Sequence, residues 1–176
     1  MKLLSLVPVG NVARSQLEIL AEGLASALDA TCEVSAEPLK PDFAYDSLRG
    51  QYYSTALVHR MHTARAPETW RLLGVADIDL FIPIFTFVFG EAQLGPANAT
   101  TAVVSLHRLR QEFYGLPPDA PLLVDRLVKE SLHELGHTLG LRHCAHYRCV
   151  MSSSSSVEKI DTKGAQFCAG CASVVS

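Results

Sequence analysis

The sequence has no apolar run long enough to span a membrane. Its best candidate, residues 80–89, has about half of the roughly 20 residues a span needs, and Pro83 interrupts it. The apolar stretch near the N-terminus, residues 3–9, is too short for a secretion signal and lacks a small-residue cleavage pattern before Asn11, so a buried strand is expected there. A dominant charge is also missing. With 15 basic against 18 acidic residues, the formal net charge is -3, which gives no electrostatic footprint for nucleic acid or an anionic membrane. Residues that are 48% hydrophobic and 19% charged exclude a disordered chain. What remains is a cytoplasmic globule, expected to be a monomer and a single domain over residues 1–176.

Against this background one stretch carries chemistry. His133 and His137 are four residues apart, so on a helix their rings stand one above the other and can grip a single zinc ion, with Glu134 between them in sequence. His143 adds a third imidazole that a straight helix could not use. Six residues of helix would carry it about 9 Å along the axis from His137. Three ligands at about 2.1 Å from one ion cannot be spread so far. The helix must therefore end between them, and Gly140 stands where a left-handed terminating residue would turn the chain back.

The helix itself is legible. Apolar residues from Val124 through Leu127, Val128, Leu132, Leu135 and Leu139 follow a helical period, Pro121 suits the first turn, and Asp125, Arg126, Lys129 and Glu130 are expected on the surface. Ahead of it, residues 3–9, 12–28 and 31–35 read as a parallel β-α-β unit. Residues 38–50 read as a loop, and residues 52–63 as either a helix or an extended piece. His59 and His62 have ligand spacing, but no third ligand stands beside them. Residues 76–85 are expected as a central strand broken at Pro83, with Phe85, Phe87 and Phe89 on one buried face. Residues 90–96 read as a loop or hairpin connection. Residues 101–107 are a further strand, either a plain sheet member or an edge to which a peptide could add.

Past the helix come Cys144, Cys149, Cys168 and Cys171, two close pairs that match a closed tetrahedral structural zinc site. A reducing compartment weighs against two disulfides, and a redox role for Cys168 and Cys171 would leave the other pair unexplained. Cys32 is expected as a core thiol. The five serines from Ser152 to Ser156 read as a flexible loop, and Met151 as either a packing residue or a floor under the metal. His146 and Tyr147, in the turn after Cys144, are expected to be exposed or packed rather than catalytic.

The run His133-Glu134-x-x-His137-x-x-Gly140-x-x-His143-Cys144-x4-Cys149-x-Met151, closed by Cys168-x-x-Cys171, resembles the archaemetzincin family of zinc metallopeptidases. The segment Phe87-Val88-Phe89-Gly90-Glu91 is similar to the family's core. The family's spacing from the methionine to the last cysteine pair is one residue longer than the 16 residues found here, which places the variation in the loop 152–160. The resemblance implies a mixed α/β, metzincin-like fold. It has a twisted mixed sheet packed by helices, one of them the long active-site helix, a Met-turn at Met151 and a zinc-stapled C-terminal segment.

Two zinc ions per chain are then expected, one catalytic on His133, His137 and His143 and one structural on Cys144, Cys149, Cys168 and Cys171. The expected activity is peptide-bond hydrolysis by a zinc-activated water, with Glu134 as general base and a peptide or protein as substrate. The alternative is a catalytically silent zinc protein that binds a partner through the same cleft. Glu134 beside the histidines favours hydrolysis, because a structural site needs no base.

Overall fold

The computed structural model describes residues 2–94 and 99–175. Its larger sheet has five strands in the order β2 (Thr31–Val34), β1 (Leu3–Val9), β5 (Arg71–Ala76), β8 (Thr101–Ser105) and β7 (Gly90–Ala92). The N-terminal unit is the expected β-α-β: β1 (Leu3–Val9) pairs in parallel with β2 (Thr31–Val34) across α1 (Arg14–Leu28). Leu17, Leu20, Leu24 and Leu28 form the buried stripe of α1, and Asp29, at φ 48°, ends the helix in the left-handed region.

The chain then crosses to a small three-stranded sheet, β3 (Tyr45–Asp46), β4 (Gln51–Tyr53) and β6 (Leu80–Phe81). The segment left open between helix and extended chain is both, since β4 runs directly into α2 (Ser54–Thr63). A 3-10 turn, Asp42–Ala44, breaks the expected loop.

The central strand lies earlier than its apolar pattern suggested. It is β5 (Arg71–Ala76), parallel to β1, whereas of residues 76–85 only Leu80–Phe81 forms a further strand, and that one belongs to the small sheet. Two ion pairs explain the bend. Asp77 accepts from Arg110, and Asp79 accepts two hydrogen bonds from Arg108 at 2.6 and 2.8 Å. Pro83 follows, and Ile84 and Phe85 are exposed. Nor do the three phenylalanines share a buried face. Phe89 is buried, Phe87 half-buried and Phe85 more than half exposed, because the segment runs along a cleft rather than inside a sheet.

Strand β8 (Thr101–Ser105) pairs in parallel with β5 on one side and antiparallel with β7 (Gly90–Ala92) on the other. It is an interior strand with every residue buried, and the edge strands of this sheet are β2 and β7. Of the stretch read as a loop or hairpin, Gly90 to Ala92 is therefore strand, and residues 95–98 lie outside the described residues.

Alternation along β5 and β8 sets the layers. Leu73, Val75, Ala102 and Val104 face α1 and α3, while Leu72, Ala76 and Val103 face α2. The helix α3 (Ala120–Thr138) starts at Asp119, whose carboxylate accepts from the Leu122 N–H at 2.9 Å, with Pro121 in the first turn. Of the four charged residues expected on its surface, only Asp125 is exposed. Arg126, Lys129 and Glu130 are buried, because each meets a counter-ion: Asp161 for Arg126, Asp125 for Lys129 and Lys163 for Glu130. Two short helices, α4 (Val157–Thr162) and α5 (Ala169–Val175), complete the C-terminal segment. Among the described residues, no helix is long and apolar enough to cross a membrane.

The Asp79 pair gives stability a defined pH dependence. Burial pushes the Asp79 carboxyl up, but hydrogen bonds from Arg108 and Gln51 outweigh it and hold the group below its usual range. A carboxyl depressed in the folded state stabilises the protein above its unfolded value, about 3.9, and that contribution is lost as pH falls through the folded value. Asp79→Asn is expected to lower unfolding free energy by about 1–3 kcal/mol at pH 7. In urea titrations the gap between parent and variant should close as pH falls below about 4.

Candidate metal centre

Helix α3 stops as its sequence requires. Gly140 takes φ 92°, and the Leu141 N–H donates back to the Gly136 carbonyl at 3.0 Å. This turn returns the chain over the last helical residues and brings His143 beside the other two rings, with centroids 5.2 Å from His133 and 5.1 Å from His137.

Second partners fix the tautomers. His133 Nδ1 lies 2.9 Å from the Val150 carbonyl and His137 Nδ1 lies 2.9 Å from the Leu141 carbonyl. A carbonyl only accepts, so each Nδ1 carries the proton and each Nε2 presents a lone pair. Those two Nε2 atoms are 3.1 Å apart, close to the roughly 3.3 Å separating tetrahedral ligands at about 2.0 Å from one ion. Burial and the nearby Lys163 ammonium push His133 down to about 3, and burial also lowers His137. Neutral imidazoles are the form that binds metal. The ligand atoms of His133, His137 and His143 all lie within 4.8 Å of one another.

The four cysteine sulfurs likewise lie within 4.8 Å of one another. Cys144 Sγ and Cys168 Sγ are 3.8 Å apart, the spacing of two thiolates about 2.3 Å from a shared tetrahedral zinc. Among these thiols the Cys171 backbone N–H and neighbouring thiols draw Cys168 down to about 7, whereas burial and its own neighbouring thiols push Cys171 up.

Between the two clusters lies Met151, fully buried. A Cβ on Gly136 would collide with its sulfur, so the glycine between the two helical histidines makes room for Met151. The methionine therefore packs directly beneath the histidine-bearing turn.

A cleft of about 370 Å³ opens over the histidines, walled by residues 85–90 on one side and Ser153–Ser155 on the other, with Glu130, His133, Glu134 and His143 along its floor. Glu134 is almost completely buried there. Burial and the neighbouring Glu130 carboxyl push its own carboxyl well above the usual range, and Lys163 only partly offsets them. Strand β7 reaches this side chain because residue 90 is glycine: a Cβ there would come within 2.8 Å of Glu134 Cγ and 2.6 Å of the Val103 carbonyl.

The remaining candidates fall outside the cleft. His146 and Tyr147 stack on one another in an exposed turn, and Tyr147 accepts from Arg148. His62 meets Thr100, and His107 packs on Phe113. Cys32 is half-buried beside the main core, where burial raises its thiol. The wall at residues 85–90 reads in the sequence as a buried strand face, and the buried ion pair of Glu130 and Lys163 carries no sequence signal. The serine run, read as a loop, supplies the other wall.

A sheet-backed helix with two imidazoles, a third brought in by a glycine turn, and a buried carboxylate beside them defines a zinc-dependent peptidase. The comparisons agree: residues 39–176 match the model of Peptidase family M54, and the chain belongs to that family. It is 40% identical to the archaemetzincin of Methanocaldococcus jannaschii over 93% of this chain and 87% of that one. Among solved structures, the archaemetzincin of Methanopyrus kandleri superposes with a TM-score of 0.84 at 36% identity, covering 99% of this chain and 93% of that one. A zinc-dependent peptidase from Methanocorpusculum labreanum gives 0.88 at 27%, covering 98% and 100%. The chain is thus a zinc metallopeptidase, and its substrate is a peptide.

Proposed function

We propose that residues 1–176 form one catalytic unit in which the Nε2 atoms of His133, His137 and His143 hold the catalytic zinc and Glu134 is the general base. The observation that carries this reading is the convergence of three imidazoles, two of which, His133 and His137, have their Nε2 lone pairs aimed inward by partners on Nδ1. When bound, the zinc supplies Lewis acidity, acidifying a water and polarising the scissile carbonyl. The Glu134 carboxylate takes one proton from the attacking water and delivers it to the leaving amine nitrogen as the carbon–nitrogen bond breaks.

An extended peptide can add its backbone to the free edge of β7, which passes over Glu134 at Gly90. Phe87 and Phe89, in edge-to-face contact at 5.1 Å, give its side chains an apolar wall. A second zinc, on Cys144, Cys149, Cys168 and Cys171, would be structural, tying the C-terminal segment to the residue that follows His143. Met151 would serve as the floor of the Met-turn.

Incubating the zinc-loaded chain with a peptide library tests this reading. Cleavage that a chelator abolishes and zinc restores is expected. Tight capture of peptides without cleavage of any bond would instead favour the partner-binding alternative.

A further inference from the structure

Behind the histidines lies an ion pair that the mechanism above does not use. Lys163 follows α4, and its side chain is completely buried. Its ammonium stands 2.7 Å from Glu130 Oε1, donates to the Ser152 carbonyl at 3.2 Å, and lies 3.4 Å from His133 Nδ1. Glu130 is buried as well, one helical turn before Glu134.

Such a pair is poor value as a stabilising device. Desolvating two ions costs about as much as their attraction returns, and well-packed apolar residues do as well or better in many proteins. Lys163 nevertheless joins three pieces of the centre: the helical turn of Glu130 and His133, the turn after Met151 through Ser152, and the segment leading to Cys168. The backbone ties the same pieces. The Gly164 N–H donates to the Arg148 carbonyl and the Val150 N–H to the Gln166 carbonyl, both at 2.9 Å. Val150 is also the acceptor that fixes the His133 ring.

We propose that Lys163 is a positioning residue of the catalytic centre. With Glu130 as its buried counter-ion, it holds the His133 imidazole and the Met151 turn in register with α3. This rests on the reading of His133 as a metal ligand. Groups that orient a ligand from behind are worth about ten- to a hundred-fold in metal affinity. Because the ammonium and the protonated Nδ1 are both donors, Lys163 would act on His133 through the turn that carries Ser152 and Val150.

Two variants of the full chain test it, Lys163→Met and the charge-neutral double variant Lys163→Met with Glu130→Gln. Metal uptake is followed by cobalt(II) titration, in which thiolate charge-transfer absorption reports the cysteine cluster separately from the histidine site. Thermal unfolding and kcat and KM are measured alongside. The double variant is expected to regain the parent's unfolding midpoint, yet to bind metal at the histidines about ten- to a hundred-fold more weakly, with kcat reduced and KM unchanged. The cysteine-site signal should not change. If Lys163→Met binds metal as the parent does, or the double variant recovers affinity together with stability, the pair is merely structural and the proposal is overturned. A parent that takes up no metal on its histidines overturns the underlying reading, and this inference with it.

Discussion

Glu134→Gln is expected to lower kcat for peptide hydrolysis by about 10²- to 10⁴-fold while zinc content stays at the parent level. The substitution keeps the shape of the side chain and removes only its capacity to take a proton. Shape matters here because Gly90 leaves little space around Glu134, and a larger group would push β7 away. Metal uptake should survive, since the imidazoles are oriented by the carbonyls of Val150 and Leu141 and not by Glu134. Steady-state kinetics on a peptide found in the library screen, with metal analysis of the same preparations, makes the check. A variant as active as the parent would remove Glu134 from the reaction, and one that has lost its zinc would make it a structural partner of the metal.

The second large effect is expected at the cysteine cluster. Cys149→Ser should reduce bound zinc from two per chain to one and lower the melting temperature. Structural zinc contributes about 10–16 kcal/mol where it is the sole organiser of a small domain. Here Cys149 also packs in an apolar core with Leu141, Val150 and Ile160, so the metal is not the sole organiser. A net loss of about 5 kcal/mol is the more fitting scale, and for a chain of this size it corresponds to a fall of about 10–20 °C. Calorimetry on the parent, the variant and the chelator-treated parent distinguishes the causes. Chelation should destabilise the parent and have a smaller effect on Cys149→Ser. If the variant keeps two zinc ions and the parent's melting temperature, the cluster is not a metal site.

The two candidate ligand sets are legible in the sequence because their spacing is local. An i, i+4 pair of histidines, a helix-ending glycine and two close cysteine pairs constrain geometry within a few residues, and the structure brings both sets of ligand atoms together. The first β-α-β unit was legible for the same reason. Long-range pairing was not. Asp77 and Asp79 looked like the alternating start of a strand, but their partners Arg110 and Arg108 lie 33 and 29 residues away and bend the chain. Arg126, Lys129 and Glu130 looked like the solvated face of a helix, because burial of a charge depends on a counter-ion that the helix sequence does not show for Arg126 and Glu130. Only Asp125 lies within reach on the same helix. The strand at Thr101–Ser105 carried the right residues, but its place between β5 and β7 is a property of the sheet.

Two metals held by two ligand sets in one chain are the central expectation. Anomalous scattering at the zinc edge, from crystals of the zinc-loaded protein, tests it most directly. Two peaks are predicted, one bound by the Nε2 atoms of His133, His137 and His143 at about 2.1 Å and one by the four cysteine sulfurs at about 2.3 Å. A single peak among the cysteines, or a histidine site from which His143 is turned away, would contradict it.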